Sequence, residues 1–599
     1  MDNTPFTERS NEITEKIDVS TPAEMVELLR LTDSEIFSGV NTEGLFSERV
    51  LESISGVTSL VEEFLRNFPP EDIAIVLAGC GTSGRLGYLI SKVCNELTSK
   101  LSKGRPFYYS IAGGNKSILT SQEAPEDDPN AGVQSLLEIC HNKKKVIYFG
   151  ITCGISAPFV GGQLDYCMKH LDKFIPVLLG FNPLNMARDV EIVGWDKTLR
   201  TVASDLNVVS LEGKGFVINP VLGGEAITGS SRMKGGTATK VILETIFLSA
   251  LNDIGKDTSN TRSCGNVTSI LKLYEDVCRN FYKTTANVMS ALVQRGGDAL
   301  KADAKIRYVA SGWMGVVPLI DSTECPPTFG SSVDDVRGFV HGGYDFLGIE
   351  NFGQQEKYFQ LGVNDFIKMY KSQDVGNDAV IVFIQSQDDP IMTSILNNDL
   401  GDVLINLKGK NKIVAVLLEN PTAEKMCETD TNKYFDDILR VTFPEYDKTA
   451  LTHWSVTCRE ALEESLYGCC LKWLVNATST GGHVLLGKVF MNYMCDVKVS
   501  NNKLYYRAIE IIKKMCHGVS HEKATNSLLK SIYETNVVTE EIRNKTVAEH
   551  YIFAARKDKV VPLAIVLAKM DCSVKVAKET LQKHSVVRQA ILEMAKPLE

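Results

Sequence analysis

The sequence lacks the cysteine patterns of secreted and zinc-binding proteins. Its 15 cysteines contain no Cys-x-x-Cys pair and no grouping with histidine at the spacing of a zinc site. An odd, scattered set of cysteines in a long chain is typical of reduced thiols, so the sequence predicts a cytoplasmic protein. The polar opening MDNTPFTERSNEITEK does not resemble a secretory signal. We therefore expect neither a disulfide framework nor a metal site.

Three further absences exclude particular classes of function. No apolar run approaches the ~20 residues that a membrane-spanning helix needs. The net charge of -10 argues against a broad nucleic-acid-binding surface. Neither the P-loop pattern GxxxxGK[ST] nor a Ser/His/Asp signature is present. Any anion site must therefore be local, built from backbone N–H groups and a few cations.

The 599-residue chain contains two copies of one sequence pattern. Residues 81–94 read GTSGRLGYLISKVC and residues 312–325 read GWMGVVPLIDSTEC, so two glycines and a cysteine align at an offset of 231. Farther along, VIYFGIT from Val146 aligns with VIVFIQS from Val380, and PVLLGFNP at 176–183 aligns with AVLLENPT at 415–422. Alignment over this length predicts a tandem domain duplication.

The two copies have kept different motifs. The first keeps the Ser/Thr-Gly loop GTSGR, whereas the second has GWMG there, whose Trp313 and Met314 offer no hydroxyl. The second keeps ECPPTFG at 324–330 and STGGHVLLGK at 479–488. This complementarity predicts one composite site with contributions from both copies.

Strand-like and helix-like segments alternate within each copy. The strand-like segments are IAIVLAG, PFYYSIAGG, KKVIYFGIT, FIPVLLGF and FVINP in the first copy, and KIRYVASG, RGFVHGG, AVIVFIQ and KIVAVLL in the second. Alternation of this kind predicts an α/β fold with two doubly wound parallel sheets, each covered by helices on both faces. We expect an N-terminal helical segment (1–68), a first domain (69–256), a helical linker (257–300), a second domain (301–499) and an all-helical cap (500–599).

Two glycine-rich loops are candidate anion sites. The loop GCGTSGR, with Gly81, Thr82 and Ser83, lies where a strand ends and a helix begins, a position that suits phosphate. The alternative for this loop is a simple tight turn. The segment TGSSRMKGGT places Ser230 and Ser231 beside two cations before a helix. The alternative there is a helix cap with solvated charges.

Two motifs supply carboxylates for acid–base chemistry. SQEAPEDD holds Glu123 and Glu126, and ECPPTFG begins with Glu324. General acid–base catalysis needs two carboxylates held on either side of a substrate. The alternative for the acidic run is a solvated helix start. In STGGHVLLGK, Lys488 is a candidate phosphate contact, whereas a lone histidine such as His483 is more often structural.

Taken together, these motifs resemble the sugar isomerase (SIS) domain family. The resemblance is carried by GTSGRLG, SIAGG followed by EAPEDD, GSSRMKGGTATK, ECPPTFG and STGGHVLLGKVFMNYMCDVKVSNNKLYYRA. Within that family they resemble the branch that contains the bacterial N-acetylmuramic acid 6-phosphate etherases and the glucokinase regulatory proteins. The regulators resemble two fused SIS subunits with a helical cap, so the resemblance covers nearly the whole chain.

The resemblance implies roles for particular residues. The 79–84 loop with Gly81, Thr82 and Ser83 is similar to a sugar-phosphate cradle. The further hydroxyls and the cation expected around that cradle are Thr152, Ser156, Ser230, Ser231 and Lys488. Two glutamates carry lactate elimination in the etherases. Glu324 matches one of them, and either Glu126 or Glu123 matches the other.

Two functions follow from the resemblance. One is a lyase that removes the lactyl ether of N-acetylmuramic acid 6-phosphate without a cofactor. The other is a sensor in which fructose 6-phosphate controls the affinity for glucokinase, and the nucleus would then be a second location beside the cytoplasm. The retained glutamates favour the lyase, and the fused architecture favours the sensor. Segment 441–454, VTFPEYDKTALTHW, replaces the apolar docking loop expected of a regulator. We expect a monomer whose two SIS domains form a pseudo-dimer.

Overall fold

The computed structural model describes residues 4–40, 43–122, 124–254, 265–353, 355–372, 376–385, 389–419 and 432–583. Two α/β domains, an N-terminal helical segment and a C-terminal helical region make up this part of the chain. The predicted fold class is therefore confirmed.

The first sheet has five parallel strands in the order β2-β1-β3-β4-β5. They are β1 (Ile73–Gly79), β2 (Phe107–Ile111), β3 (Lys145–Ile151), β4 (Phe174–Leu179) and β5 (Phe216–Ile218). β1 is buried along its whole length, as a strand covered on both faces must be. Gly79 pairs with both Ile111 and Ile151, so the carboxyl ends of β1, β2 and β3 meet at one edge of the sheet.

The second sheet repeats this topology, in the order β10-β9-β8-β6-β7. Its strands are β6 (Ile306–Ala310), β7 (Val336–Val340), β8 (Ala379–Ile384), β9 (Lys412–Glu419) and β10 (Asp437–Thr442). The sequence analysis missed β10, because DILRVT mixes charged with apolar residues and is mostly half-buried. It also missed a short antiparallel hairpin, β11 (Val489–Phe490) with β12 (Tyr493–Met494).

Helices cover both sheets. The helices of the N-terminal segment and first domain are Pro22–Ser38, Glu48–Asn67, Gly81–Lys100, Lys116–Leu119, Pro129–Cys140, Pro158–Lys169, Leu199–Leu211 and Lys234–Ile254. Those that follow are Gly265–Lys301, Gly312–Phe329, Gly343–Leu347, Val363–Ser372, Pro390–Asn397, Asp399–Leu407 and Val456–Leu485. The C-terminal helices are Asn502–Met515, His521–Tyr533, Glu540–Arg543, Val547–Ala554, Val560–Met570 and Val574–Lys583. Among the described residues, no helix is both long and apolar enough to cross a membrane.

The helix Gly265–Lys301 packs against helices of both domains and of the N-terminal segment. It packs along Val456–Leu485 and against Pro22–Ser38, so it belongs to the core that the two domains share. The stretch Ser20-Thr21-Pro22 predicts a helix start, and the N-terminal helix begins there. The Thr21 side chain accepts from the backbone N–H of Glu24, and the Glu24 carboxylate accepts from the N–H of Thr21. This capping box fixes the start of the helix.

The buried carboxyl of Asp33 predicts a pH-dependent stability. Burial raises the pKa of Asp33 to about 6, although the Tyr282 hydroxyl donates to it at 2.6 Å and opposes the shift. A raised carboxyl pKa stabilises the fold below pH 4, and this contribution is lost as the pH rises through 6. In the wild type, the free energy of unfolding should fall by roughly 3 kcal/mol over that pH range. We expect Asp33→Asn to abolish this fall.

Denaturant titrations between pH 4 and pH 7.5 measure this effect. The exposed Asp345 offers a matched control, and Asp345→Asn should retain the wild-type slope. An equal pH slope in Asp33→Asn and wild type would show that this carboxyl does not titrate with unfolding.

Candidate functional site

The glycine loop at the end of β1 is shaped by close packing. Gly79, Gly81 and Gly84 have the spacing G-x-G-x-x-G, and a Cβ on Gly84 would lie 2.5 Å from the Ile111 side chain. Gly81 has a φ of +49°, which disfavours any residue with a side chain. The helix Gly81–Lys100 starts here, so its first N–H groups open onto the edge where β1, β2 and β3 end.

Two carboxylates from different domains face this loop. A Cβ on Gly81 would lie 3.5 Å from an oxygen of Glu126 and 3.5 Å from an oxygen of Glu324. Glu126 lies in the 3-10 turn Ala124–Asp127 of the first domain, and Glu324 lies in the helix Gly312–Phe329 of the second. Glu123, the other candidate in the acidic motif, lies outside the described residues. The space beside Gly81 is therefore flanked by Glu126 and Glu324.

Arg85 connects the two domains at this point. Its side chain is fully buried, forms an ion pair with Glu324, and donates to the Thr120 carbonyl at 2.7 Å. Its Nε is buried and has no hydrogen-bond partner among the residues that the structure describes. Sequence reasoning did not single out Arg85, although it belongs to the GTSGRLG motif. This contact holds the Glu324 carboxylate in one position at the boundary between the two domains.

The hydroxyls expected in the cradle come from three loops. The Ser83 hydroxyl lies 3.6 Å from the Cys153 sulfur, next to Thr152 at the end of β3. Thr152 accepts from the Ser156 N–H at 3.1 Å, a hydrogen bond within the loop that follows β3. Burial raises the pKa of Cys153 to about 11, so its thiol stays neutral. Ser83 and Thr152 are both buried.

The third loop precedes the helix Lys234–Ile254. A Cβ on Gly236 would lie 3.2 Å from the Thr82 methyl and 3.3 Å from the Ser231 carbonyl, so Thr82 and Ser231 meet at the start of this helix. The Ser230 hydroxyl is buried and, among the described residues, has no hydrogen-bond partner. The structure therefore brings together the loops that carry Thr82, Ser83, Thr152 and Ser231.

The two cations of this loop have structural partners. Arg232 pairs with Asp321 of the second domain at 2.6 Å, and both side chains are buried. Lys234 pairs with Glu35 of the N-terminal helix at 2.6 Å. Neither is a solvated charge, and both bind segments together across the core. Nearby Lys472 donates to the carbonyl of Arg232, and burial lowers the pKa of Lys472 to about 8.

A different lysine from the one expected faces Glu126. Lys488 forms an ion pair with Asp496 at 3.0 Å, and Asp496 packs against Gly330, just past the end of the helix Gly312–Phe329. Lys503, at the start of the C-terminal helices, lies 3.6 Å from a Glu126 oxygen. In the sequence, Lys503 lies in the stretch SNNKLYYRA, which is the end of the last motif that resembles the SIS family.

A cavity of about 950 Å³ opens next to Ser156. The N-terminal segment, the first domain and the C-terminal helices all line it, and they contribute Arg188, Lys503 and Arg507. Arg188 pairs with Asp127 at 3.0 Å, and Arg507 forms a two-point contact with Glu8. The cavity thus combines cations with room for a sugar-sized ligand.

Comparisons with known proteins agree with this architecture. Family models match the glucokinase regulatory protein N-terminal SIS domain at residues 56–168, its second SIS domain at 283–486 and its C-terminal lid domain at 491–591. Glucokinase regulatory protein from Xenopus laevis is 35% identical over 98% of this chain and 92% of its own length. The Homo sapiens protein is 32% identical over 98% and 92%.

A bacterial enzyme matches a smaller part of the chain. N-acetylmuramic acid 6-phosphate etherase from Pasteurella multocida is 30% identical over 42% of this chain and 71% of its own length. The regulators match across both SIS domains and the lid, so the chain belongs to the glucokinase regulatory protein family.

Proposed function

We propose that this chain binds a sugar phosphate in the cradle around Gly81 and retains N-acetylmuramic acid 6-phosphate etherase activity. The observation that carries the proposal is the pair Glu126 and Glu324, whose oxygens both lie 3.5 Å from the position of a Cβ on Gly81. One carboxylate comes from each SIS domain. A fused pair of domains thus supplies two acid–base groups around one space.

The elimination needs two proton transfers. One glutamate removes the proton from C2 of the opened sugar, while the other protonates the ether oxygen at C3 as the C–O bond breaks and lactate leaves. Water then adds across the double bond, giving the C3 hydroxyl and restoring a proton to C2. The net reaction is hydrolysis of the ether, so water is the only co-reactant.

The cradle supports binding of the phosphate. N–H groups at the start of the helix Gly81–Lys100 and the hydroxyls of Ser83, Thr152 and Ser231 belong to loops that meet. Helix N-termini favour anions. Lys503 is close enough to Glu126 to contact the same ligand. Thr82, Ser156 and Ser230 complete the proposed set, and Lys488, which is paired with Asp496, lies outside it.

The test is direct. Purified protein incubated with N-acetylmuramic acid 6-phosphate should release D-lactate, measured with lactate dehydrogenase, in proportion to protein and time. Unmodified N-acetylglucosamine 6-phosphate, which has no lactyl ether, is the matched substrate control. Absence of lactate from protein that binds the substrate by calorimetry would refute the etherase activity and leave the binding function.

A second function is favoured by the match over the whole chain. The relatives that match nearly the whole chain are named glucokinase regulatory proteins. The region of this chain that matches their lid domain contains Lys503, which lies beside Glu126. Fructose 6-phosphate in the cradle would therefore contact both the first domain and the lid, and could change the affinity for a glucokinase. In segment 441–454 the apolar side chains of Phe443, Leu451 and Trp454 are buried, so they do not form an exposed docking anchor.

Inhibition assays with a glucokinase from the same organism, with and without fructose 6-phosphate, test this second function. A sugar phosphate that weakens the complex must bind the free chain more tightly than the complexed chain by the same factor. No inhibition under either condition would exclude regulation of that kinase.

We predict one high-affinity sugar-phosphate site per chain. In the second domain, Trp313 and Met314 replace the hydroxyls of Thr82 and Ser83, and Trp313 donates to Glu96 at 3.0 Å. Calorimetric titration with fructose 6-phosphate should give a stoichiometry of one, and Ser83→Ala should weaken that single site. Two equivalent sites per chain would contradict the composite cradle.

A further inference from the structure

We propose that this chain has a second small-molecule site, which takes an uncharged sugar of monosaccharide size. The site is a cavity of about 390 Å³, here called the junction cavity. Its walls are residues 119–122 of the first domain, one face of the helix Gly312–Phe329, six residues of the stretch 330–338, and Lys498 and Asp558 near the C-terminal helices. The volume lies within the range of small-ligand pockets. The proposal does not rest on the etherase activity.

The junction cavity is separate from the cradle. It is lined by Leu319, Ser322, Thr323, Pro326 and Pro327, which have the spacing of one helix face. Asp321 and Glu324 line a different, much smaller cavity on the other side of the same helix. A ligand in the junction cavity would therefore not contact the carboxylates beside Gly81.

Hydrogen-bond acceptors in the wall lack their usual helix donors. Pro326 and Pro327 have no N–H, so the carbonyls of Ser322 and Thr323 cannot receive the bonds that a regular helix would supply. The hydroxyls of these two residues donate to carbonyls of their own helix, at 2.9 and 2.8 Å, and keep lone pairs for a ligand. A ligand rich in hydroxyl groups can donate hydrogen bonds to these acceptors.

One donor in the wall is also unmatched. The Ser331 hydroxyl is buried and, within the described part of the chain, has no hydrogen-bond partner. Leu119, Leu319 and Val336 add apolar surface to the same lining. A sugar ring presents the same combination of hydroxyl edges and an apolar face. The lining therefore fits a carbohydrate better than a purely apolar ligand.

Each charged side chain of the cavity lining already has a partner, which favours an uncharged ligand. Arg337 donates to Asp334 at 3.4 Å and to the carbonyls of Lys357 and Gln360 at 2.5 Å. Burial lowers the pKa of Arg337 to about 10, so it stays protonated near neutral pH. Lys498 pairs with Asp558 at 3.3 Å. A phosphate or an ammonium group would have to displace one of these partners.

Calorimetric titration with N-acetyl-D-glucosamine and D-glucose tests the site. We expect at least one of them to bind with a stoichiometry of one, and Val333→Trp to weaken that binding at least ten-fold. Val333 lines the cavity and is 40% exposed, so a larger side chain can fill the cavity without disrupting the core. Val193→Trp, at a valine that is 99% exposed and outside the cavity lining, is the matched control and should bind like wild type.

Two results would overturn the proposal. One is no detectable binding of either sugar at millimolar concentration to folded wild-type protein. The other is binding that Val333→Trp leaves unchanged, because the sugar would then occupy a different place. Glucosamine, whose ammonium replaces the acetamide, should bind at least ten-fold more weakly than N-acetylglucosamine; equal or tighter binding would refute the selection for an uncharged ligand.

Discussion

Glu324→Gln is expected to lower the rate of lactate release by about 10²–10⁴-fold, the usual effect of losing a general acid or base. Glutamine keeps the size of the side chain and can accept a hydrogen bond from Arg85, but it cannot transfer the proton. The phosphate-binding loops of the first domain are untouched, so sugar-phosphate affinity should change by less than about three-fold. Lactate assays and calorimetry on the same preparation separate the two quantities.

Glu356→Gln provides the matched control, since Glu356 is an exposed glutamate of the same domain. It should release lactate at the wild-type rate. Glu126→Gln should reproduce the defect of Glu324→Gln, and Glu123→Gln should not. Wild-type turnover in Glu324→Gln would exclude this residue from the chemistry, and loss of both turnover and binding would make its role structural.

Arg85→Met is expected to destabilise the protein by about 3–5 kcal/mol, because it leaves the largely buried carboxylate of Glu324 without its cation. The Thr120 carbonyl also loses its donor. Since the ion pair joins the two SIS domains, the loss should appear in the first unfolding transition during denaturant titration. Methionine preserves most of the packing, so the effect reports mainly on the charge.

A double variant distinguishes charge from packing. Arg85→Met combined with Glu324→Gln removes both charges and should recover most of the lost stability, with a coupling of at least about 1 kcal/mol. A surface pair, half-buried Arg30 with exposed Glu27, serves as the control, since Arg30→Met should cost less than about 1 kcal/mol. Additive losses at Arg85 and Glu324 would mean that their ion pair does not hold the domains together.

The local pattern of apolar and polar residues was sufficient to predict the architecture. The strand segments of both copies are buried runs between turn signals, and alternation with helices leaves few arrangements other than parallel sheets. Thr21 and Glu24 have the spacing of a capping box, so the start of the N-terminal helix was readable as well. Strand β10 could not be predicted in this way, because it mixes charged with apolar residues and lacks a strand-like hydrophobic pattern. It is stabilised by pairing with β9.

The sequence by itself determined the duplication, the fold class and the loops that carry the candidate site, because each depends on local spacing or on repetition. Only the tertiary structure decided which side chains meet. It placed Glu126 and Glu324 beside the Cβ position of Gly81, engaged Arg232 in a buried ion pair with Asp321, and put Lys503 rather than Lys488 beside Glu126. These are contacts between residues far apart in the chain, and their partners are set by how the two domains and the lid pack.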